Sequence, residues 1–285
     1  MREQSRLVPF LLLLPAGLLF AAFFVWPLVT LTIISFYDYG RMTGMVEVFT
    51  LKNYERIFLD EFYLSIVGHT LKLALTTAVL TVLVGYPVAL YLTVARPRAR
   101  AAVIFFILSP LMISVIVRSF GWVMIVGPKG LLESTFSAIG LPGGNLLHTE
   151  TAVLLGLVNV LLPFVVLSIA TALQGIDPAV PLAASSLGAS PMRNFVSVTL
   201  PLSLPGILSG VLIAFSLASS TFVTPAVLGG PQFKVLSTML FQQAVGLQNW
   251  PFGAALAITL VLVVFLAVTL QFRFVERGRY KAVFQ

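Results

Sequence analysis

Ile176 to Ile207 reads IDPAVPLAASSLGASPMRNFVSVTLPLSLPGI, and its place between two long apolar runs decides how the rest of the chain is read. It carries only two charges, Asp177 and Arg193. Asp177-Pro178 is a helix-start signal: a carboxylate that caps free amides, then a proline where no amide donor is needed. Pro181 also fits the first helical position, which leaves the start open by a turn. Ala183 and Ala184 favour helix, and Gly188 is placed to stop it. The prediction is a short helix over Pro178–Gly188, about two to three turns long. Its small side chains let another surface approach closely.

Composition says where such a stretch lives. Of 285 residues, 59% are hydrophobic and 9% charged, with mean hydropathy +1.03. Soluble domains carry about 25% charged residues, so this is a membrane protein. With no cysteine there is no disulfide framework and no thiolate metal site. His69 and His148 are too few and too far apart for a metal cluster, and no metal site is expected.

A bilayer crossing takes about 20 helical residues, and six apolar runs are long enough: roughly 7–36, 63–95, 101–126, 151–174, 206–228 and 251–274. The fold expected is therefore all-α, a single membrane-embedded domain over residues 1–285. The first run exceeds the ~7–15 apolar residues of a cleavable signal and reads as a retained span. Pro15 and Pro27 within it predict a bend.

Lysine and arginine set the orientation. One side holds Arg2, Arg6, Arg96, Arg98, Arg100, Arg193, Arg273, Arg277, Arg279 and Lys281, the other Arg41, Lys52, Arg56, Lys129 and Lys234. Both termini and the Ile176–Pro205 loop are thus expected in the cytoplasm, with the short helix between spans four and five. The net charge of +7 is a topology signal, and no nucleic-acid partner is implied.

The first external loop, Tyr37–Phe62, holds half of all the acids. Within it, Phe49 to Phe58 reads as a short amphipathic element at the outer surface, either a docking face for an extracytoplasmic partner or a solvated loop. In the third external loop, Gly229-Gly230-Pro231 is a turn, followed by the apolar run Val235–Leu240. Trp26, Trp122 and Trp250 are candidate interface anchors.

No phosphate-binding Gly-x-x-x-x-Gly-Lys-Ser/Thr loop, Gly-x-Ser-x-Gly elbow or His-Glu-x-x-His pair occurs, so no catalytic residue is named. Energy for active transport would have to come from another chain. The predicted spans contain no acid, which argues against a carrier driven by an ion gradient. That carrier, or a channel, stays as the alternative class. Two cations do enter the membrane. Lys72 lies near the outer end of the second span and can snorkel. Arg118 lies deeper; it serves either as a tie to backbone carbonyls or as part of a solute path. Trp122, Asn159, Ser216, Ser219, Ser220, Thr221 and Phe222 are the other path candidates. The hydroxyls among them could instead bond to carbonyls one turn back. Gly206, Gly210, Ala214 and Ala218 put small residues on one face of the fifth span, for packing within the chain or against a second membrane subunit.

The opening stretch resembles the Glu-Ala-Ala loop of ABC-importer membrane subunits. That pattern is Glu-Ala-Ala, three residues, Gly, nine residues, then Ile-x-Leu-Pro. Ala183, Ala184, Gly188, Leu200 and Pro201 match it, while Leu182 stands for the glutamate and Val198 for the isoleucine. The chain is also similar to the spermidine/putrescine-type group at Phe49–Tyr54, Val117–Trp122, Gly127–Leu131, Phe222–Pro231 and Asn249–Ala254.

The resemblance implies a permease domain whose loop docks on an ATP-hydrolysing subunit. Asp177, Pro178, Leu182, Ala183, Ala184, Gly188, Ala189, Pro191, Leu200 and Pro201 are the coupling positions. It further implies two copies of the ATP-binding subunit, which use ATP and Mg, none of it bound by this chain. A second, different permease subunit, an extracytoplasmic solute-binding protein and a bacterial inner-membrane location complete the expectation. Polyamine is the first expected solute. An opine, phosphonate or other anionic or zwitterionic solute is the alternative, with Arg118 as counter-ion.

Overall fold

The computed structural model describes residues 4–40, 42–139 and 145–277. Arg2, Arg41, Arg279 and Lys281, which enter the charge balance, lie outside these, as do the side chains of Arg6 and Arg277. Among the described residues, six helical segments are long and apolar enough to cross a bilayer: Leu12–Ile34, Glu61–Val94, Val115–Ala138, Glu150–Gln174, Pro191–Ser220 and Trp250–Arg273. The all-α, six-span expectation holds.

The first span is α1 (Gln4–Phe20), a π-helical turn (Ala21–Val25) and α2 (Trp26–Ile34). Pro27 has no amide to give the carbonyl one turn back. The turn ahead of it widens, and Trp26 N–H reaches Ala21 O, five residues back. Pro15 sits in unbroken helix. Next come two antiparallel strands that the sequence reading missed, β1 (Tyr37–Gly40) and β2 (Gly44–Phe49), closed by Gly44 at φ +70°. The expected amphipathic element follows as α3 (Lys52–Leu59), and the second span as α4 (Glu61–Val94).

The third predicted span, 101–126, is not one helix. The structure gives α5 (Pro97–Leu108), a 3-10 turn at Ser109–Met112, and then α6 (Val115–Val126). Pro110 removes an amide, Ile113 is extended, and the helix restarts after Ser114. The crossing helix is α6 continued by α7 (Leu131–Ala138). The fourth span, α8 (Glu150–Gln174), matches its predicted range.

The fifth span begins about four turns earlier than predicted and ends earlier too. After the short helix α9 (Ala179–Ser186), helix runs continuously through α10 (Pro191–Asn194), a π turn (Phe195–Thr199) and α11 (Leu200–Ser220). It stops at Thr221, whose backbone is extended. The apolar run within the third predicted external loop is partly helical and buried: Val235 and, in α12 (Leu236–Phe241), Leu236 and Met239 are all under 5% exposed. The last span is α13 (Trp250–Arg277).

The described residues fall into two compact units: one up to Ser65 together with Met239–Leu262, the other Ile66–Thr238 with the chain from Val263. In the first, the guanidinium of Arg56 stacks over Tyr63 (5.3 Å) and Phe252 (4.8 Å), while Ile57 beside it is fully buried. Asn53 Nδ2 donates to the carbonyls of Ser35 and Tyr37, fastening α3 to the end of α2 and the start of the hairpin. In the second unit the seam between α8 and α11 is central. Gly206, Gly210, Ala214 and Ala218 are buried on it. A Cβ on Gly206 would lie 2.5 Å from Ala172 Cβ, and Ser168 Oγ donates to Gly206 O. The small-residue stripe therefore packs within the chain.

Candidate functional site

The loop between α8 and α11 is built from local hydrogen bonds. Asp177 Oδ1 accepts from Ala179 N–H at 2.8 Å, holding the entry to α9. At its other end Gly188 has φ +84°. Gly188 N–H reaches Ser185 O, and Ala189 N–H reaches Ala184 O five residues back, the bond pair of a helix-ending Schellman turn. A Cβ at Gly188 would meet nothing within 4 Å. Glycine is needed there for its backbone alone.

Ser190 then caps α10 through Arg193 N–H, with Pro191 at the first helical position. Asn194 closes the hairpin of helices: its Nδ2 donates to Pro181 O at 2.8 Å and Ser185 Oγ at 3.1 Å. The predicted positions Asp177, Pro178, Ala183, Ala184, Gly188, Ala189 and Pro191 thus form one continuous hairpin. Leu200 and Pro201 lie beyond the π turn, where Leu200 N–H reaches Phe195 O ahead of the amide-free Pro201.

The underside of this hairpin is seated: Ile176, Phe195 and Leu200 pack against the core cluster that includes Tyr86, Ile169 and Leu173. Its outer side is bare. Leu182 is 66% exposed, Leu187 89% and Met192 70%, with Val180 also exposed. The hairpin thus presents an apolar tip on a polar, hydrogen-bonded frame.

The membrane-depth candidates do not form one constellation. Arg118 Nη1 donates to Pro110 O, across the break between α5 and α6, which is the carbonyl tie. Ser219 donates to Phe215 O, Ser220 to Ser216 O and Thr221 to Leu217 O, each one turn back. Ser216 is half-buried, as is Phe222. Trp122 packs on the cluster of Leu73, Val126 and Val153. Asn159 is half-buried, and among the described residues no hydrogen bond joins it, Arg118 and the hydroxyls. Lys72 is paired with Glu150 at 3.2 Å, linking α4 to the first residue of α8.

The sequence reading passed over Tyr86 and Ser203, buried hydroxyls that meet at 2.9 Å between α4 and α11. It also missed the Arg56 stack. Hydroxyls inside apolar runs carry no motif. A pair of aromatics 189 residues apart in sequence gives no signal either.

The sequence model of the family described as "Binding-protein-dependent transport system inner membrane component" matches residues 82–279. The chain is 32% identical over 228 residues to the spermidine/putrescine transport system permease protein PotB of Salmonella typhimurium (strain SL1344), covering 79% of each chain. Over 280 residues it is 29% identical to the inner membrane ABC transporter permease protein YdcU of Escherichia coli (strain K12), covering 92% of this chain and 88% of that one. Among solved structures, a chain of a bacterial alginate ABC transporter in complex with an alginate pentasaccharide-bound periplasmic protein superimposes with TM-score 0.80. It is 19% identical, covering 98% of this chain and 96% of that one. A chain of the MetNI methionine ABC transporter gives TM-score 0.59 at 20% identity, covering 80% and 98%.

Proposed function

The chain belongs to the family of binding-protein-dependent transport system inner membrane components, and from that premise we propose how it works in the importer it serves. It is a multi-pass permease subunit of an ABC importer; ATP hydrolysis belongs to a partner. In our reading both termini and the Ile176–Pro201 hairpin face the cytoplasm, the side marked by the larger share of arginine and lysine. The hairpin docks on an ATP-binding subunit through Val180, Leu182, Leu187 and Met192. The complex holds two such subunits, which use ATP and Mg, and a second, different permease subunit. A solute-binding protein delivers its cargo from outside.

The observation that carries the docking is the bare apolar tip on a rigid frame. ATP closes the two ATP-binding subunits and moves the hairpins. The spans then open outward to the loaded binding protein, and hydrolysis restores the inward-open arrangement. Leu182 in place of the family's glutamate makes the contact at that point apolar. Fully burying one leucine is worth about 1.5–3 kcal/mol, so the tip does not need the carboxylate.

The solute proposed is a polyamine, on the likeness to the spermidine/putrescine permeases. No acid lies in the middle of a predicted span. Selection of a di- or tri-cation would then rest with the binding protein, while this chain gives a largely neutral path. Arg118 gives one N–H to Pro110 O and keeps its charge and its other donors, so an anionic or zwitterionic cargo is the alternative. The test is uptake of labelled spermidine into vesicles holding the assembled complex. Uptake that requires ATP and the binding protein supports the reading. Uptake by this chain alone, insensitive to ATP, would overturn it.

A further inference from the structure

The hairpin meets the second span through one buried side chain. Tyr86 on α4 is 8% exposed, and its ring stands edge-on to Phe195 with centroids 5.8 Å apart. Its Oη lies 2.9 Å from Ser203 Oγ. Ser203, fully buried, gives its own proton to Leu200 O at 3.0 Å, so the Tyr86 hydroxyl is the donor in the pair. Donation runs from Tyr86 to Ser203 to the Leu200 carbonyl.

These contacts bracket the π turn Phe195–Thr199. Phe195 is its first residue and Leu200 the residue that follows it. A π turn carries an extra residue, a common place for helix register to change. Pro201 removes one amide from the turn that follows. Left unpinned, such a turn would absorb a push from the hairpin. At its neighbour Gly85, α4 comes close to α8: a Cβ there would lie 3.2 Å from Val166 Cγ2.

We infer that Tyr86 is a positioning residue for the transport cycle, locking the π turn to α4 so that hairpin displacement reaches the second span. The inference rests on the docking reading given under Proposed function. Phenylalanine would fill the same space but leave Ser203 Oγ without its donor. The aromatic contact and the hydroxyl chain therefore make separable contributions.

The chain has no cysteine, so spin labels can be placed at will. Arg193→Cys on α10 of the hairpin and Leu83→Cys on α4 are both exposed and lie outside the proposed docking tip. Their separation is measured by pulsed electron–electron resonance in the assembled complex, nucleotide-free and trapped with ATP and vanadate. With Tyr86 in place the two states should differ by no more than about 2 Å, the scale of a rigid helix shift. In Tyr86→Phe, and more so in Tyr86→Phe/Ser203→Ala, they should differ by up to about one helical turn, ~5 Å, in complexes that still assemble and hydrolyse ATP. Equal changes in native and variant backgrounds, or a ~5 Å change already in the native one, would overturn the inference. In parallel, Leu182→Cys should cross-link to the ATP-binding subunit in every background. Absence of that cross-link would sink the docking reading instead.

Discussion

Two neighbouring stretches use the same residue types and meet opposite fates. On α11, Gly206, Gly210, Ala214 and Ala218 are buried against α8, close enough that a methyl on Gly206 would strike Ala172. On α9, Ala183 and Ala184 sit beside Leu182 and Leu187, which stand in the open. Small residues mark an approaching surface; they do not say whose surface it is. The difference lies in what surrounds them. The α11 stripe belongs to a long apolar helix whose partner, α8, is in the same chain. The α9 face belongs to a short polar-framed hairpin with its apolar side chains turned outward. One is covered within the chain; the other, in the docking proposed above, would be covered by the ATP-binding subunit.

The sharpest way to break that contrast is to put the same side chain in both places. Gly206→Leu should lose the fold: overpacking costs about 1–3 kcal/mol in a well-packed core, and here backbone as well as side chain obstructs. Little monodisperse protein should be recovered from the membrane. Gly188→Leu has open space and a strained backbone at φ +84°. A side chain in that conformation costs about 1–2 kcal/mol. Insertion and yield should persist while ATP hydrolysis loses its link to transport, read as solute moved per ATP consumed. Similar yields for both variants would erase the distinction.

A smaller effect on stability, with a comparable one on assembly, is expected from Leu187→Asp. The side chain is 89% exposed, so the isolated subunit should melt within about 0.5 kcal/mol of the parent. Affinity for the ATP-binding subunit should fall at least about tenfold, corresponding to ~1.4 kcal/mol, measured by co-purification or surface binding. A large loss of melting temperature with intact affinity would mean the tip serves the fold.

The smallest expected effect lies in the Tyr37–Leu59 region, whose exposed surface is tied down by a charge pair. Lys52 Nζ lies 2.8 Å from Asp38 Oδ2, and Tyr39 N–H adds a second bond to the same carboxylate. The Lys52 hydrogen bond, then that of Tyr39, hold Asp38 below its ordinary 3.8; Asp38 in turn raises Lys52 above 10.5. Asp38 is depressed in the folded state, so its contribution is present above pH 3.8 and is lost as pH falls through the lower folded value. Lys52 is raised, so its contribution is complete below pH 10.5 and is lost as pH rises through the higher folded value. Between those limits the hairpin should keep a constant order. Both groups are exposed, so the change outside them should be slight. Solvent accessibility of a cysteine placed at Val46, followed against pH, checks both signs. A transition near neutral pH would contradict the assignment.

Much of this was legible in the sequence because bilayer-length apolar runs and proline-glycine punctuation are strong local signals. The short helix over Pro178–Gly188 followed from a cap, two alanines and a glycine, and α9 (Ala179–Ser186) lies within that range; the hairpin that Asn194 closes did not. The third and fifth spans were misdrawn for a physical reason. Apolarity does not distinguish a helix from a break inside one, and Pro110 interrupts the first case. In the second, polar Ser190 and Asn194 hid a helix that already begins at Pro191. The strands at Tyr37–Phe49 are short and show no alternation; Val46, Val48 and Phe49, residues that favour strand, were the one signal there. Tyr86 and Arg56 were out of reach because their meaning lies in partners far along the chain.

The central claim is that the Asp177–Pro201 hairpin seats in the ATP-hydrolysing partner. A photo-reactive cross-linker at Leu187→Cys, in membranes holding the complete transporter, tests it most directly. The account predicts adducts to the ATP-binding subunit from this position and none from Val46→Cys in the strand hairpin. Adducts from Val46 to that subunit, with Leu187 reacting only with lipid or with an external protein, would contradict it.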